Sequence, residues 1–162
     1  MGEVNPICVV PLGERPDTIP VIAAWLYEQW GYFHDQDSVE RRIAELSERL
    51  QTDTIPVAFV ALASYEAGAE PIGTASLTPD DLETRPDLTP WLASVLVRPE
   101  HRGGGVGAAL VRAVVAHARK LGVETLYLFT EDQVEFYKRL GWQVIGPEIL
   151  RGHPIVVMNI RP

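Results

Sequence analysis

Cysteine is nearly absent from this 162-residue chain. The single Cys8 excludes an intramolecular disulfide, and no Cys/His cluster has the spacing of a zinc site, so a reducing, cytoplasmic setting without structural metal is expected. Long hydrophobic runs are missing too. No stretch approaches the length of a bilayer span, and Met1-Gly2-Glu3-Val4-Asn5-Pro6 is neither a basic n-region nor an apolar h-region, so a soluble protein with no membrane partner is expected. Basic residues are outnumbered: 14 Lys and Arg against 22 Asp and Glu give a formal charge of -8. That balance argues against a nucleic-acid partner, which needs a positive field to displace phosphate counterions. It suits cationic small molecules, and it equally serves solubility alone. What the chain does have is 46% hydrophobic residues, enough for one core and too little length for two ordinary domains.

The hydrophobic pattern predicts an alternation of elements. Ile7-Cys8-Val9-Val10 reads as a strand, with Cys8 as a buried small hydrophobe. Ile22, Trp25, Leu26 and Trp30 then share one helical face ahead of Gly31. Asp37 and Glu40 have capping-box spacing for a second helix carrying Val39, Ile43, Leu46 and Leu50. Helix capping accounts for His34-Asp35-Gln36-Asp37 better than a metal site does. Residues 57–63 and 72–77 read as a hairpin, and the Pro- and Asp-rich stretch from Thr78 to Pro90 as a loop ordered by its contacts. Trp91-Leu92-Ala93-Ser94-Val95-Leu96-Val97 has the near-continuous apolar character of a central strand covered on both faces. A helix from Gly105 to Leu121, closed by Gly122, leads to a strand at 125–130; strand, glycine loop, helix, strand is a βαβ unit, so those two strands should be parallel neighbours. A short helix from Gln133 to Leu140 and strands at 142–145 and 155–159 complete a mixed sheet.

Arg102-Gly103-Gly104-Gly105-Val106-Gly107 links the central strand to its helix. Such a junction aims unpaired backbone N–H groups at whatever sits before the helix, and an anion belongs there. Glycines permit the positive φ angles that turn successive amides inward, and Arg102 adds charge. A P-loop would need Lys-Ser/Thr after its last glycine, where Ala108 and Ala109 stand. A dinucleotide fingerprint would need glycine in place of Leu110. Tight helix packing is the plainer use of such glycines.

The remaining pattern, Arg/Gln-x-x-Gly-x-Gly/Ala, resembles the pyrophosphate loop of the GNAT superfamily of acetyl-CoA-dependent N-acetyltransferases. Val95 to His101 is similar to that family's strand-end segment, and Phe136-Tyr137 with Gly141-Trp142 to its second signature. Within this span, Asp132 to Tyr137 also resembles the actin N-terminal acetyltransferase family. The resemblance implies an α/β (α+β) fold: a mixed, mostly antiparallel sheet of about six to seven strands with a parallel splayed pair and about four flanking helices. It implies acetyl-CoA as donor and no metal. Pantetheine would pair with the backbone of Val95, Leu96 and Val97, and pyrophosphate would lie on Arg102, Gly103, Gly104, Gly105, Val106, Gly107 and Ala108. Gln133 would hydrogen-bond the donor. The acceptor would be the primary amine of a small molecule or of a peptide or protein N-terminus, and the chain a monomer or homodimer.

In that chemistry an amine attacks the thioester, backbone N–H groups near Leu96 or Val97 stabilise the oxyanion, and an acid protonates the thiolate. Tyr137 is the candidate acid; its phenol, ordinarily near pKa 10, stays protonated until used. The carboxylate that many family members place on the central strand is missing, so the base is unassigned: Ser94 is a candidate for orienting a water, with Glu131 or Asp132 at the cleft mouth. That departure keeps a second reading open, a noncatalytic acyl-CoA-binding sensor. Longer acyl donors also stay open. The acidic loop containing Asp80, Asp81 and Asp87 is a candidate attractor for a cationic acceptor. His153 borders the same region or simply serves a turn, and His117 packs at the edge of its helix.

Overall fold

The computed structural model describes residues 7–33 and 35–162; His34 of the metal reading lies outside them. One sheet carries seven strands in the order β1-β2-β3-β4-β5-β7-β6: β1 (Cys8–Pro11), β2 (Val57–Leu62), β3 (Pro71–Thr78), β4 (Trp91–Val97), β5 (Leu126–Thr130), β6 (Gln143–Leu150) and β7 (His153–Ile160). Only β4 and β5 run parallel; the other neighbours are antiparallel. The expected mixed sheet and its βαβ crossover are both present. Among the described residues four α-helices flank it: α1 (Ile19–Trp30), α2 (Val39–Ser47), α3 (Val106–Lys120) and α4 (Val134–Arg139).

The helices lay apolar faces on the sheet, with Val111 of α3 buried beyond the stripe its spacing marks. On one face of the sheet α3 lays Leu110, Val111 and Val114 against Phe59, Leu77, Leu92 and Leu128, and α4 adds Tyr137. On the other, Ile22 and Leu26 of α1 and Leu46 of α2 cover Ala58, Val60 and Leu96. Full burial of each such side chain contributes about 1.5–3 kcal/mol relative to exposure. A third cluster forms on that second face beyond β4, where Leu82 of the β3–β4 loop packs with Trp91, Leu150, Ile155 and Val157. The loop is ordered by contact, as its composition suggests. Glu83 pairs with Arg151 at 3.0 Å, and Arg85 with Glu148 of β6 at 3.0 Å, which ties the loop to the β6–β7 hairpin.

Two local expectations change. The α2 cap is Ser38, whose hydroxyl accepts the Arg41 N–H at 3.0 Å. Asp37 is drawn instead to Arg42, at 2.8 Å, with only 4% of its side chain exposed. A carboxylate with an arginine five residues on forms the charged pair and leaves the smaller hydroxyl to the cap. The last hairpin is longer than its apolar runs, because β7 pairs with β6 from Gln143 to Leu150 through Gly146 and Pro147. Inter-strand bonding there overrides weak propensity.

Candidate functional site

Along β4 the regular ladder breaks. Thr74 of β3 faces Leu96 and Ser76 faces Ala93, so Ala75 alone opposes Ser94 and Val95. This is a β-bulge, and Ser94 sits in it with φ of 56°. The side-chain phase inverts across it: Leu92 packs on the α3 face, Leu96 on the α1 face. On its other edge β4 matches β5 at one register pair, Trp91 with Tyr127, supported by the Tyr127 N–H donating to the Pro90 carbonyl at 3.1 Å. Beyond that pair the strands separate, and the β5-facing backbone of Ser94 to Val97 is left without a strand. The splay required for an extended, peptide-like ligand is present.

A turn at Pro99–His101 then leads into the glycine loop. Arg98 is engaged by other groups: its guanidinium lies 5.1 Å from the centre of the Trp25 ring and 3.9 and 3.8 Å from Glu28 and Glu100. Arg102 is exposed and donates Nε–H to the Val97 carbonyl at 3.1 Å, which ties the loop to the end of the splayed strand. The glycines divide by cause. Gly103 and Gly105 have φ of 82° and 87°, which disfavours any side chain there. Gly107 has an ordinary φ, but a Cβ on it would meet Phe136 at 3.4 Å and Val97 at 3.6 Å, so its smallness lets α4 approach the start of α3. Packing thus explains one glycine and backbone conformation two others. Gly105 caps α3 without a side-chain bond, and the first helical bond runs from the Ala109 N–H to the Gly105 carbonyl. The amides of Val106, Gly107 and Ala108 therefore have no intrahelical acceptor, and they converge where the positive end of the helix dipole lies. An exposed cradle of this kind fits a pyrophosphate.

Tyr137 belongs to the same core as Leu92 of β4 and Leu128 of β5, the strands that flank the splay. It is 7% exposed, with ring contacts to Phe136 and Trp142. Burial alone pushes its hydroxyl well above the usual phenol range, with no hydrogen bond or charge contributing. Gln133 stands at the start of α4. It caps α4 by position, its N–H bonds the Thr130 hydroxyl at 3.0 Å, and its exposed side chain donates to Asp132 at 3.3 Å.

On the opposite face a second group assembles. Tyr32 and Phe33, after α1, stack at 4.4 Å, and the His153 ring stands 5.4 and 4.8 Å from them. The Tyr32 hydroxyl donates to Glu131 at 2.9 Å; partial burial and that bond raise it to about 12. His153 thus joins this aromatic group from the first position of β7 rather than from the turn itself. Of the acidic loop, Asp87 is held by Arg85 at 3.0 Å. Asp81 is different: it is solvent-accessible, yet enclosing protein raises its carboxyl to about 7 against the opposing effect of Arg49 and Arg42. The sequence shows an acidic loop but cannot say which carboxylate lacks a partner. His117, half-buried as expected at the helix edge, packs on Phe59 at 5.4 Å.

Residues 19–142 match the family model described as the acetyltransferase (GNAT) family. N-alpha-acetyltransferase 80 of Mus musculus is 28% identical over 134 residues, covering 82% of this chain and 40% of its own. Mycothiol acetyltransferase of Propionibacterium freudenreichii is 28% identical over 122 residues, covering 73% of this chain and 38% of that protein. The chain therefore spans about two fifths of these curated relatives. Among solved structures, an aminoglycoside 6'-N-acetyltransferase complexed with coenzyme A superposes with a TM-score of 0.73 over 95% of this chain and 96% of that one, at 16% identity. The NatC complex bound to Gag peptide and CoA gives 0.69 over 96% and 98%, at 14% identity. These likenesses concern the fold.

Proposed function

Because the chain belongs to the acetyltransferase (GNAT) family, we propose that it moves the acetyl group of acetyl-CoA to the primary amine of a small molecule or peptide by direct attack in a ternary complex. The observation that carries this reading is continuous: β4 leaves β5 after one pair and runs straight into a glycine cradle at a helix start. In this reading pantetheine adds to the free edge at Val95, Leu96 and Val97. The pyrophosphate takes the amides of Gly103, Gly104, Gly105, Val106, Gly107 and Ala108, with Arg102 swinging its charge to it. Gln133 bonds the donor through its second amide hydrogen or its carbonyl oxygen, leaving its bond to Asp132 in place. Ser94, at the bulge, orients the water or amine nearest the thioester, and a backbone N–H beside it meets the developing oxyanion.

Tyr137 acts as the acid from the α3 face. Donation from a phenol near 10 to a thiolate whose acid is near 8.5 runs uphill by about 2 kcal/mol, and burial adds to this. The transfer must therefore be concerted with loss of the amine's own proton, so that the sulfur and the phenol never carry charge together. The N-alpha-acetyltransferase and peptide-bound relatives support a peptide amine among the acceptors; the aminoglycoside enzyme supports a small one.

Calorimetry with CoA and a screen of amines and peptides read by free-thiol release test this together. CoA binding with thiol release on some amine is the expected result. Binding without release on any acceptor would favour an acyl-CoA sensor instead.

A further inference from the structure

The cations of this acidic protein are unevenly matched. Most Lys and Arg side chains are ion-paired, and Arg102 is tied to the Val97 carbonyl. Those forming no hydrogen bond or ion pair among the described residues are Arg112, Arg119, Lys120, Arg139 and Arg161. They fall on neighbouring parts of the fold: α3, the last residue of α4, and the residue after β7. Glu124, in the turn after α3, pairs with none of them, and Glu135 of α4 is taken by Lys138 at 3.4 Å. A local excess of positive charge remains on a chain whose formal charge is -8.

Arg112 and Arg119 line a groove of about 270 Å³. Along one side of α3, Arg112, Val115, Ala116 and Arg119 follow one another at i, i+3, i+4 and i+7, so the two guanidinium groups flank an apolar stretch. Facing them are Leu140, Trp142 and Ile160. Trp142 is 2% exposed, and its buried indole N–H has no acceptor among the described residues, whereas buried donors are ordinarily paired. A rise of about 1.5 Å per residue puts Arg112 roughly 9 Å and Arg119 roughly 20 Å along α3 from its first residue. The groove thus runs down the shaft of the helix, away from the amides at its start.

We propose that this groove is a second binding site, for a small organic carboxylate with a compact apolar body. The planar guanidinium of Arg112 or Arg119 takes the carboxylate in a bidentate pair, and the body lies on Val115, Leu140 and Trp142. At about 30 Å³ per water the groove holds roughly nine waters, or an organic molecule of about ten non-hydrogen atoms. Charge alone gives little at an exposed site, so the apolar floor is what selects an amphipathic anion over a simple one. A ligand this small responds to the cations beside it, because salt screens charges more than about 8–10 Å away. Neither arginine belongs to the donor cradle, and the inference does not depend on acetyl transfer. Trp142 touches the Tyr137 ring at 6.0 Å, so an occupant would sit one side chain away from the candidate acid.

Titration of the full chain with 3-phenylpropionate, followed in nitrogen-edited NMR spectra, tests this. The indole resonance missing from Trp142→Phe and the side-chain resonances missing from Arg112→Gln and Arg119→Gln identify the three reporters. They are expected to shift together with a Kd of about 0.1–1 mM. Acetate, which has the charge without the body, and 3-phenylpropanol, which has the body without the charge, should each bind about ten-fold more weakly or less. The double variant Arg112→Gln/Arg119→Gln alters only exposed side chains and should weaken 3-phenylpropionate about ten-fold while leaving 3-phenylpropanol unchanged. Reporters that stay in place, an equal response to acetate or to 3-phenylpropanol, or a double variant that binds as wild type does, each overturn the assignment. The shifts should persist in saturating CoA; their loss would make the groove an extension of the donor site and overturn it as a separate one.

Discussion

Replacing Tyr137 by phenylalanine removes one oxygen atom from a side chain that is 7% exposed and held by ring contacts to Phe136 and Trp142. Those contacts survive the change. The hydroxyl takes part in no hydrogen bond that affects its ionisation, so its loss leaves no polar partner orphaned. Stability should stay within about 0.5 kcal/mol of wild type, which for a chain of this size is a shift of roughly 2 °C or less in Tm. Catalysis should respond quite differently. A positioned acid contributes about 10²–10⁴ in rate, so kcat is expected to fall at least ten-fold, with CoA affinity nearly unchanged because the packing around the cleft is intact. Thermal melts, CoA calorimetry and thiol-release kinetics on one preparation decide it. An unchanged kcat removes Tyr137 as the acid. A fall in Tm by about 5 °C would show that the hydroxyl is structural, and the kinetic loss could then no longer be assigned to proton transfer.

Gly105→Ala and Gly104→Ala separate conformation from space: Gly105 is left-handed while Gly104 is not, and a Cβ meets nothing closer than 3.8 Å at either. The first should cost about 1–2 kcal/mol, or roughly 2–8 °C in Tm, and the second almost nothing; equal melts would show the loop relaxes freely. Arg102→Ala should weaken CoA binding about ten-fold at low salt and less at high salt, and a salt-independent loss would mean that the Val97 tether, not charge, matters. For Asp81, whose folded carboxyl lies above its ordinary value of 3.8, the contribution to stability is present in acid and is lost as pH rises through about 7. Asp81→Asn should therefore raise Tm at pH 8 more than at pH 5; the reverse ordering would mean that Asp81 is paired when ionised.

Much of the donor side is written in local pattern. The bounds of β4 at Trp91 and Val97, the start of α3 after Gly105 and the parallel partner at β5 all follow from apolar runs and glycine placement. Other features depend on partners distant in sequence. β6 is mostly exposed and passes through Gly146 and Pro147, so only its pairing with β7 makes it a strand. The choice between Asp37 and Ser38 as cap turns on where Arg42 points. Asp80, Asp81 and Asp87 look alike as letters; Arg85 takes Asp87, and Asp81 is singled out only by the fold of α2 against β3. The bulge was hidden for a related reason. A strand apolar on both faces reads the same whether or not its alternation slips.

That slip has a consequence for chain length. With Ser94 absorbing one position, β4 is two short strands spliced out of phase, one half zipped into the sheet and the other offering its edge. Removing Ser94 would restore simple alternation with Ala75 opposite Val95 and Thr74 still opposite Leu96, so Leu96 would keep its place in the α1–α2 core and Val95 and Val97 theirs toward α3. The extra residue is thus not what aims the side chains on either side of it; it supplies the local bend at Ser94, where β4 passes from a strand paired on both edges to one with a free edge.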